Sequence, residues 1–217
     1  MLDTKILLTN LGIEQLIPMQ EKMGKVATQQ GGVVLLSPTG SGKTLAYLLP
    51  LVSLVNPAND ALQAAVVLPT RELAQQSEDV LKRMKTGLRS MALYGGRPAM
   101  DEHRIMRELK PQIVFATPGR LLDHLGKENL SPYAVKSLVI DEFDKCLELG
   151  FQEEMESLLK YFTKATHCWL TSATDAEAIP AFMQKMAPNF KTLNYLEGDN
   201  DTKLRIEGQP VRPLRCV

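Results

Sequence analysis

The stretch Val33-Val34-Leu35-Leu36-Ser37-Pro38-Thr39-Gly40-Ser41-Gly42-Lys43-Thr44-Leu45-Ala46-Tyr47-Leu48-Leu49 decides how the chain folds. Its first four apolar residues suit a buried strand, its glycines a turn, and its second apolar run a helix. In that setting the backbone N–H groups of residues 39–44 face a polyphosphate at the start of the helix. Thr39, Gly40, Ser41, Gly42, Lys43 and Thr44 are therefore the candidate nucleotide-binding residues. Lys43 would reach the β- and γ-phosphates, and the Thr44 hydroxyl would ligate Mg²⁺. The general phosphate-loop pattern opens on Gly, and here that place is Ser37.

Outward from the loop, β-rich apolar runs alternate with helical patterns. Ala64–Leu68 precedes a helix over Glu72–Met84, Met91–Tyr94 one over Met100–Leu109, and Ile113–Ala116 one over Arg120–Leu125. Leu138–Ile140 then leads to Phe151–Phe162, and Cys168–Leu170 to Glu177–Met186, with a short strand near Thr192–Leu196. Phe151, Met155, Leu158, Leu159 and Phe162 fall on one helical face. The apolar run from Leu45 to Val55 reads as a buried helix kinked at Pro50. The fold class is α/β, a mainly parallel sheet with helices on both faces. Residues 1–197 form one domain. Residues 198–217, which open on Gly198-Asp199-Asn200-Asp201, read as a polar tail, either an interdomain linker or a chain end.

Composition narrows the function. Lys+Arg and Asp+Glu number 25 each among 217 residues, so no overall field draws the chain to nucleic acid. Any such contact must be local, built from a few arginines and helix N-termini. Cys146, Cys168 and Cys216 are too few and too scattered for a disulfide framework or a Cys-x-x-Cys metal site. With no secretory signal pattern and no apolar run near the ~18 residues of a membrane span, the expectation is a cytoplasmic protein with no membrane partner.

Ligands of an open parallel sheet bind outside the carboxyl ends of its strands, and the distinctive polar groups fall there in turn. Pro69-Thr70-Arg71-Glu72-Leu73 follows the second strand, Gly95-Gly96-Arg97 the third, and Thr117-Pro118-Gly119-Arg120 the fourth. Asp141-Glu142-Phe143-Asp144 and Ser172-Ala173-Thr174 follow the next two. Asp141 is the acidic partner a phosphate-bound Mg²⁺ needs, and Glu142 can orient and deprotonate an attacking water. Thr117 and Pro118 have helix-start chemistry, as N-cap and first helical residue, with Arg120 in the first turn as a phosphate clamp. Thr70 and Arg71 read likewise. Gly95-Gly96 admits a second backbone beside Arg97. Ser172 and Thr174 offer hydroxyls to Asp144, linking the nucleotide site to the groove.

This ordered set resembles the first RecA-like P-loop NTPase domain of the DEAD-box ATP-dependent RNA helicases of superfamily 2, over about residues 6–197. The resemblance implies an ATP hydrolase with ATP and Mg²⁺ as cofactors and catalytic Lys43, Asp141 and Glu142. It also implies backbone contacts to single-stranded or duplex RNA from Pro69, Thr70, Arg71, Gly95, Gly96, Arg97, Thr117, Pro118, Gly119 and Arg120. Gly12-Ile13 with Pro18-Met19-Gln20 resembles the adenine-recognising Q motif, which makes Gln20 the reader of the adenine edge. Three departures stand out. The naming tetrad carries Phe143 where the family has Ala. The aromatic that stacks on adenine seventeen positions before Gln20 is here Asp3. The chain also stops before the second RecA-like domain, whose arginines complete the ATP site, so this domain alone should hydrolyse ATP weakly and not unwind duplexes. The alternatives are an RNA-clamping or partner-binding module with little hydrolysis, and a DNA-directed motor of superfamily 2. Oligomeric state is not legible in the sequence.

Overall fold

The computed structural model describes residues 3–96, 99–174, 181–184, 190–197 and 205–206. Two helices come first, α1 (Thr4–Leu11) and α2 (Pro18–Ala27), neither of which the apolar periodicity foretold. Strand–helix units follow: β1 (Gly31–Leu36) and α3 (Lys43–Leu54), β2 (Ala64–Val67) and α4 (Arg71–Arg83), β3 (Ser90–Leu93) and α5 (Ala99–Leu109), β4 (Ile113–Ala116) and α6 (Pro118–Gly126). After β5 (Ser137–Ile140) come two helices, α7 (Phe143–Glu148) and α8 (Gln152–Tyr161). Then come β6 (His167–Ser172), α9 (Ala181–Gln184), β7 (Phe190–Asn194) and the two-residue β8 (Arg205–Ile206).

The sheet runs β3-β4-β2-β5-β6-β1-β7-β8 and is parallel except for β8, which pairs antiparallel with β7 through Lys191 and Thr192. Part of the stretch read as tail thus adds an edge strand. Of the expected helix over Glu177–Met186, only Ala181–Gln184 lies within the described residues.

Period-2 alternation along buried strands sorts the core into two layers. Val33, Leu35, Val66, Phe115, Val139 and Trp169 face α1 to α4, among Leu7, Met23, Tyr47, Leu51 and Leu81. Val34, Leu36, Val67, Val114, Leu138, Ile140 and Leu170 face the other side, among Met106, Leu121, Leu125, Met155, Leu158 and Phe162. Both faces are covered, as the continuous apolar runs imply. Pro50 lies inside α3, which continues to Leu54. It removes one N–H from the ladder without ending a helix packed along its length.

Phe143 belongs to the second layer. It is the first residue of α7 and 1% exposed, packed in the cluster that holds Leu121, Ile140, Met155 and Leu170. The ring therefore turns into the core and does not crowd the strand ends. Truncating a buried Phe to Ala typically costs about 3–5 kcal/mol through lost burial and a residual cavity. Phe143→Ala is expected to lose stability of that order in urea unfolding; a loss below about 1 kcal/mol would contradict this packing.

Candidate nucleotide and nucleic-acid site

Register brings the polar motifs to one edge. Leu36 pairs with Ser172, Ile140 with Leu170 and with Val67, and Ala116 with Val67 and Leu93. The residues that follow, Ser37, Asp141 and Thr117, extend the same ladders: their N–H groups donate to Ser172, Val67 and Leu93 carbonyls. The phosphate loop and Asp141 thus flank the end of β6, while the Thr70, Gly95-Gly96 and Thr117 segments occupy the ends of β2, β3 and β4.

In the loop, Gly40 and Gly42 have φ of 78° and 91°, a region that side chains disfavour. The Gly42 position carries a second constraint, since a Cβ there would lie 2.7 Å from Gln20 Nε2. Gln20 is buried; its Oε1 accepts from the Ile17 N–H at 3.1 Å and its Nε2 donates to the Gly42 carbonyl at 3.3 Å. The candidate adenine reader is thereby tied to the loop that would hold the phosphates. Asp3 serves as the N-cap of α1, accepting from the Lys5 N–H at 2.9 Å, so its carboxylate performs a structural task.

Lys43 is buried, and its ammonium donates to the Ser37 and Pro38 carbonyls at 2.6 and 2.9 Å. Burial lowers its pKa, against the pull of Asp141, Glu142 and Asp144. Ser37, where the general pattern has Gly, is buried too, and its hydroxyl donates to Ser41 Oγ at 2.7 Å, closing the loop on itself.

Asp141 and Glu142 are both buried, and burial raises the pKa of Asp141. One Asp141 oxygen accepts from the Thr171 hydroxyl, and the other from the Tyr47 hydroxyl at 3.1 Å. Glu142 adopts the left-handed conformation (φ 50°, ψ 51°) between β5 and α7. This costs a non-glycine residue about 1 kcal/mol or more, and its N–H is held by Thr171 Oγ1 at 3.0 Å. Its carboxylate accepts from Lys145 Nζ at 2.9 Å. Asp144 meets the Ser172-Ala173-Thr174 segment, its Oδ2 accepting from the Thr174 hydroxyl at 2.9 Å and the Ala173 N–H at 3.2 Å. Burial alone would raise the Asp144 carboxyl, but hydrogen bonds from Ser172, Thr174 and backbone N–H groups outweigh it and hold it low. Ser172 Oγ itself accepts from the Thr174 N–H at 3.0 Å.

The residues fit a phosphate-bound Mg²⁺. Among the described residues no cluster of three His, Cys, Asp or Glu could cage a metal. One hydroxyl, Thr44, and one carboxylate, Asp141, would make the kind of sparse protein donor set that suits Mg²⁺ when phosphates and water complete its shell.

Along the β2–β4 edge, Thr70 caps α4, its Oγ1 accepting from the Leu73 N–H at 3.3 Å. Arg71 is exposed, 2.6 Å from Glu72. Gly95 and Gly96 have open space where a Cβ would stand, and Gly96 has φ of 99°. Arg97 lies outside the described residues. Thr117 and Pro118 occupy the expected N-cap and first-turn places of α6, yet the Thr117 side chain makes no capping hydrogen bond. Arg120 also departs from the simple reading of a clamp. Its guanidinium lies 2.8 Å from Glu102 Oε2 and 3.6 Å from Asp123. Glu102, on α5, is fully buried and also meets His124 Nε2 at 2.9 Å. A carboxylate only accepts, so Nε2 carries the proton and Nδ1 accepts from the Asn129 amide at 3.2 Å.

Sequence reasoning passed over Tyr47, Thr171 and Glu102. Tyr47 and Thr171 carried a faint signal, a polar tip inside an apolar run. Glu102 carried none, because its partners come from another helix.

Phosphate loop, metal-ready carboxylate and acidic neighbour define a P-loop nucleoside-triphosphatase domain. The DEAD/DEAH box helicase family model matches residues 17–181, and the chain belongs to that family. The DEAD-box ATP-dependent RNA helicase RhpA of Helicobacter pylori (strain B128) is 36% identical over 174 residues, covering 79% of this chain and 35% of the relative. A DEAD box protein from Methanococcus jannaschii superposes with a TM-score of 0.78 at 30% identity, over 88% of this chain and 53% of that one. Mss116p bound to ssRNA and AMP-PNP gives a TM-score of 0.72 at 30% identity, over 86% of this chain and 40% of that one. The chain spans roughly a third of the length of the curated relatives it matches.

Removing one partner of a buried ion pair costs about 3–5 kcal/mol by stranding the other. Glu102→Ala, which removes the acceptor at His124 Nε2 and leaves Arg120 its Asp123 contact, is expected to show a loss toward the lower end of that range in chemical denaturation. Wild-type stability in that variant would mean that Arg120 is free to leave Glu102 for a ligand.

Proposed function

We propose that the chain is the ATP-binding motor domain of an ATP-dependent RNA helicase. Residues 1–197 form the RecA-like domain in this reading, and residues 198–217 a polar tail or interdomain linker. Thr39 to Thr44 would hold the ATP phosphates, Thr44 and Asp141 the Mg²⁺, and Gln20 the adenine edge. The metal would neutralise charge on the β- and γ-phosphates. Glu142 would orient and deprotonate water once it is free of Lys145. RNA would lie along the β2–β4 edge and be gripped through its sugar-phosphate backbone, hence with little base preference.

The observation that carries this reading is the alignment of both motif sets on one sheet edge, with the Asp144–Thr174 bond joining β5 to β6 between the loop and the groove. Relatives named as ATP-dependent RNA helicases, and a structural neighbour solved with ssRNA and AMP-PNP, support it. Turnover and unwinding require the second domain's arginines, an arginine across an interface being worth ~10³–10⁵ in rate. The placement proposed with this reading is cytoplasmic; no described helix is long and apolar enough to cross a membrane.

The Lys145–Glu142 contact favours a second reading, a nucleotide-dependent RNA clamp with little hydrolysis. Turnover measured in a protein carrying both RecA-like domains separates the two. A helicase shows RNA-stimulated ATP hydrolysis that Glu142→Gln lowers by roughly 10²–10⁴-fold while nucleotide binding persists. Absence of RNA stimulation, or an unaffected Glu142→Gln, contradicts the motor assignment, and equal stimulation by DNA contradicts the RNA preference.

A further inference from the structure

Tyr47 has a place in the site that the motifs do not assign. It follows Thr44 by three residues on α3, hence on the same helical face, and it is completely buried. Phenylalanine would fill the same apolar volume, so the hydroxyl is the informative part. A buried hydroxyl left without a partner is destabilising. This one lies 3.1 Å from Asp141 Oδ2 and 3.2 Å from Ser77 Oγ. A carboxylate only accepts, so the phenol proton goes to Asp141 and Ser77 donates to the phenol oxygen.

We propose that Tyr47 is a positioning residue that sets the Asp141 carboxylate for Mg²⁺ and, through Ser77, ties that setting to α4. The proposal rests on the Mg²⁺–nucleotide reading of the site. Thr171 holds one carboxylate oxygen from β6 and Tyr47 the other from α3, so the plane of the group is fixed from two elements. Each oxygen keeps a second lone pair for a metal or its water. Ser77 lies in the second turn of α4, and the first residues of that helix are the groove segment after Thr70. A shift of α4 on a bound strand therefore reaches the metal carboxylate through two hydrogen bonds. This path is separate from the Asp144–Thr174 link on the opposite side of Asp141.

The test is a Mg²⁺ titration of fluorescent-ATP binding to the whole chain, for wild type, Tyr47→Phe and Ser77→Ala, with EDTA controls and thermal melts. The expected result is equal affinity in EDTA for all three proteins. The Mg²⁺ concentration for half-maximal tightening rises roughly 3–10-fold in Tyr47→Phe, the size of one lost hydrogen bond, and less in Ser77→Ala. A merely structural loss would weaken binding equally with and without Mg²⁺, and would overturn the proposal. An unshifted Tyr47→Phe midpoint alongside Mg²⁺-dependent wild type overturns it alone. An unshifted Ser77→Ala overturns the connection to α4. Wild-type binding indifferent to Mg²⁺ overturns the metal reading and this proposal together.

Discussion

A parallel sheet covered by helices on both faces leaves one place for polar chemistry, the ends of its strands. The phosphate loop, the acidic tetrad and the Thr70, Gly95-Gly96, Thr117 and Ser172-Ala173-Thr174 segments obey that constraint, while Gln20 reaches the loop from α2. Within the strands, side chains alternate between two apolar layers, and neither layer admits an unpaired charge. Beyond the last hydrogen-bonded pairs, Ser37, Asp141 and Thr117 continue the ladders by a single N–H each, then the chain turns into a helix. The site is thus assembled by register. Shifting β5 by one residue would exchange Val139 and Ile140 between layers and carry Asp141 away from Thr171.

The candidate ligand-binding groups Lys43, Glu142 and Gln20 are satisfied within the protein itself. Lys43 bonds to the carbonyls of its own loop, Glu142 to Lys145, and Gln20 to Ile17 and Gly42. Nucleotide binding on this account is an exchange of contacts, in which phosphates replace the Ser37 and Pro38 carbonyls at the Lys43 ammonium. The net gain is the difference between charge-assisted and neutral hydrogen bonds rather than the full worth of either. Asp141 is the exception. Its two donors, Thr171 and Tyr47, leave lone pairs for a metal, so it can take up a cation without giving up a partner.

The features legible in sequence were those encoded locally. Strand–turn–helix about residues 33–49, the acid pair after Val139-Ile140 and the Ser172-Ala173-Thr174 turn each depend on neighbours a few residues apart. α1 escaped because it is eight residues long with only Leu7 and Leu8 buried, and α2 because its buried face, Met19, Gln20, Met23 and Ala27, mixes polar and small residues with the methionines. α7 escaped because it is six residues long and overlaps the acidic tetrad. Phe143, where the family has Ala, turns its ring into the core because α7 starts there, and that start is not legible in the tetrad itself. The pairing of Arg120 with Glu102 was not legible, because that carboxylate arrives from α5 and nothing near Arg120 in sequence announces it. These are all consequences of tertiary placement, which side-chain spacing alone does not carry.

The central claim is that residues 37–44 and Asp141 together hold a Mg²⁺–nucleotide. A crystal structure of the chain with Mg²⁺ and a non-hydrolysable ATP analogue tests it most directly. The account predicts that Lys43 Nζ leaves the Ser37 and Pro38 carbonyls for the β- and γ-phosphate oxygens, while Asp141 keeps Thr171 and Tyr47 and faces the metal. A nucleotide bound elsewhere, or Lys43 still bonded to its own loop beside a bound nucleotide, would contradict it.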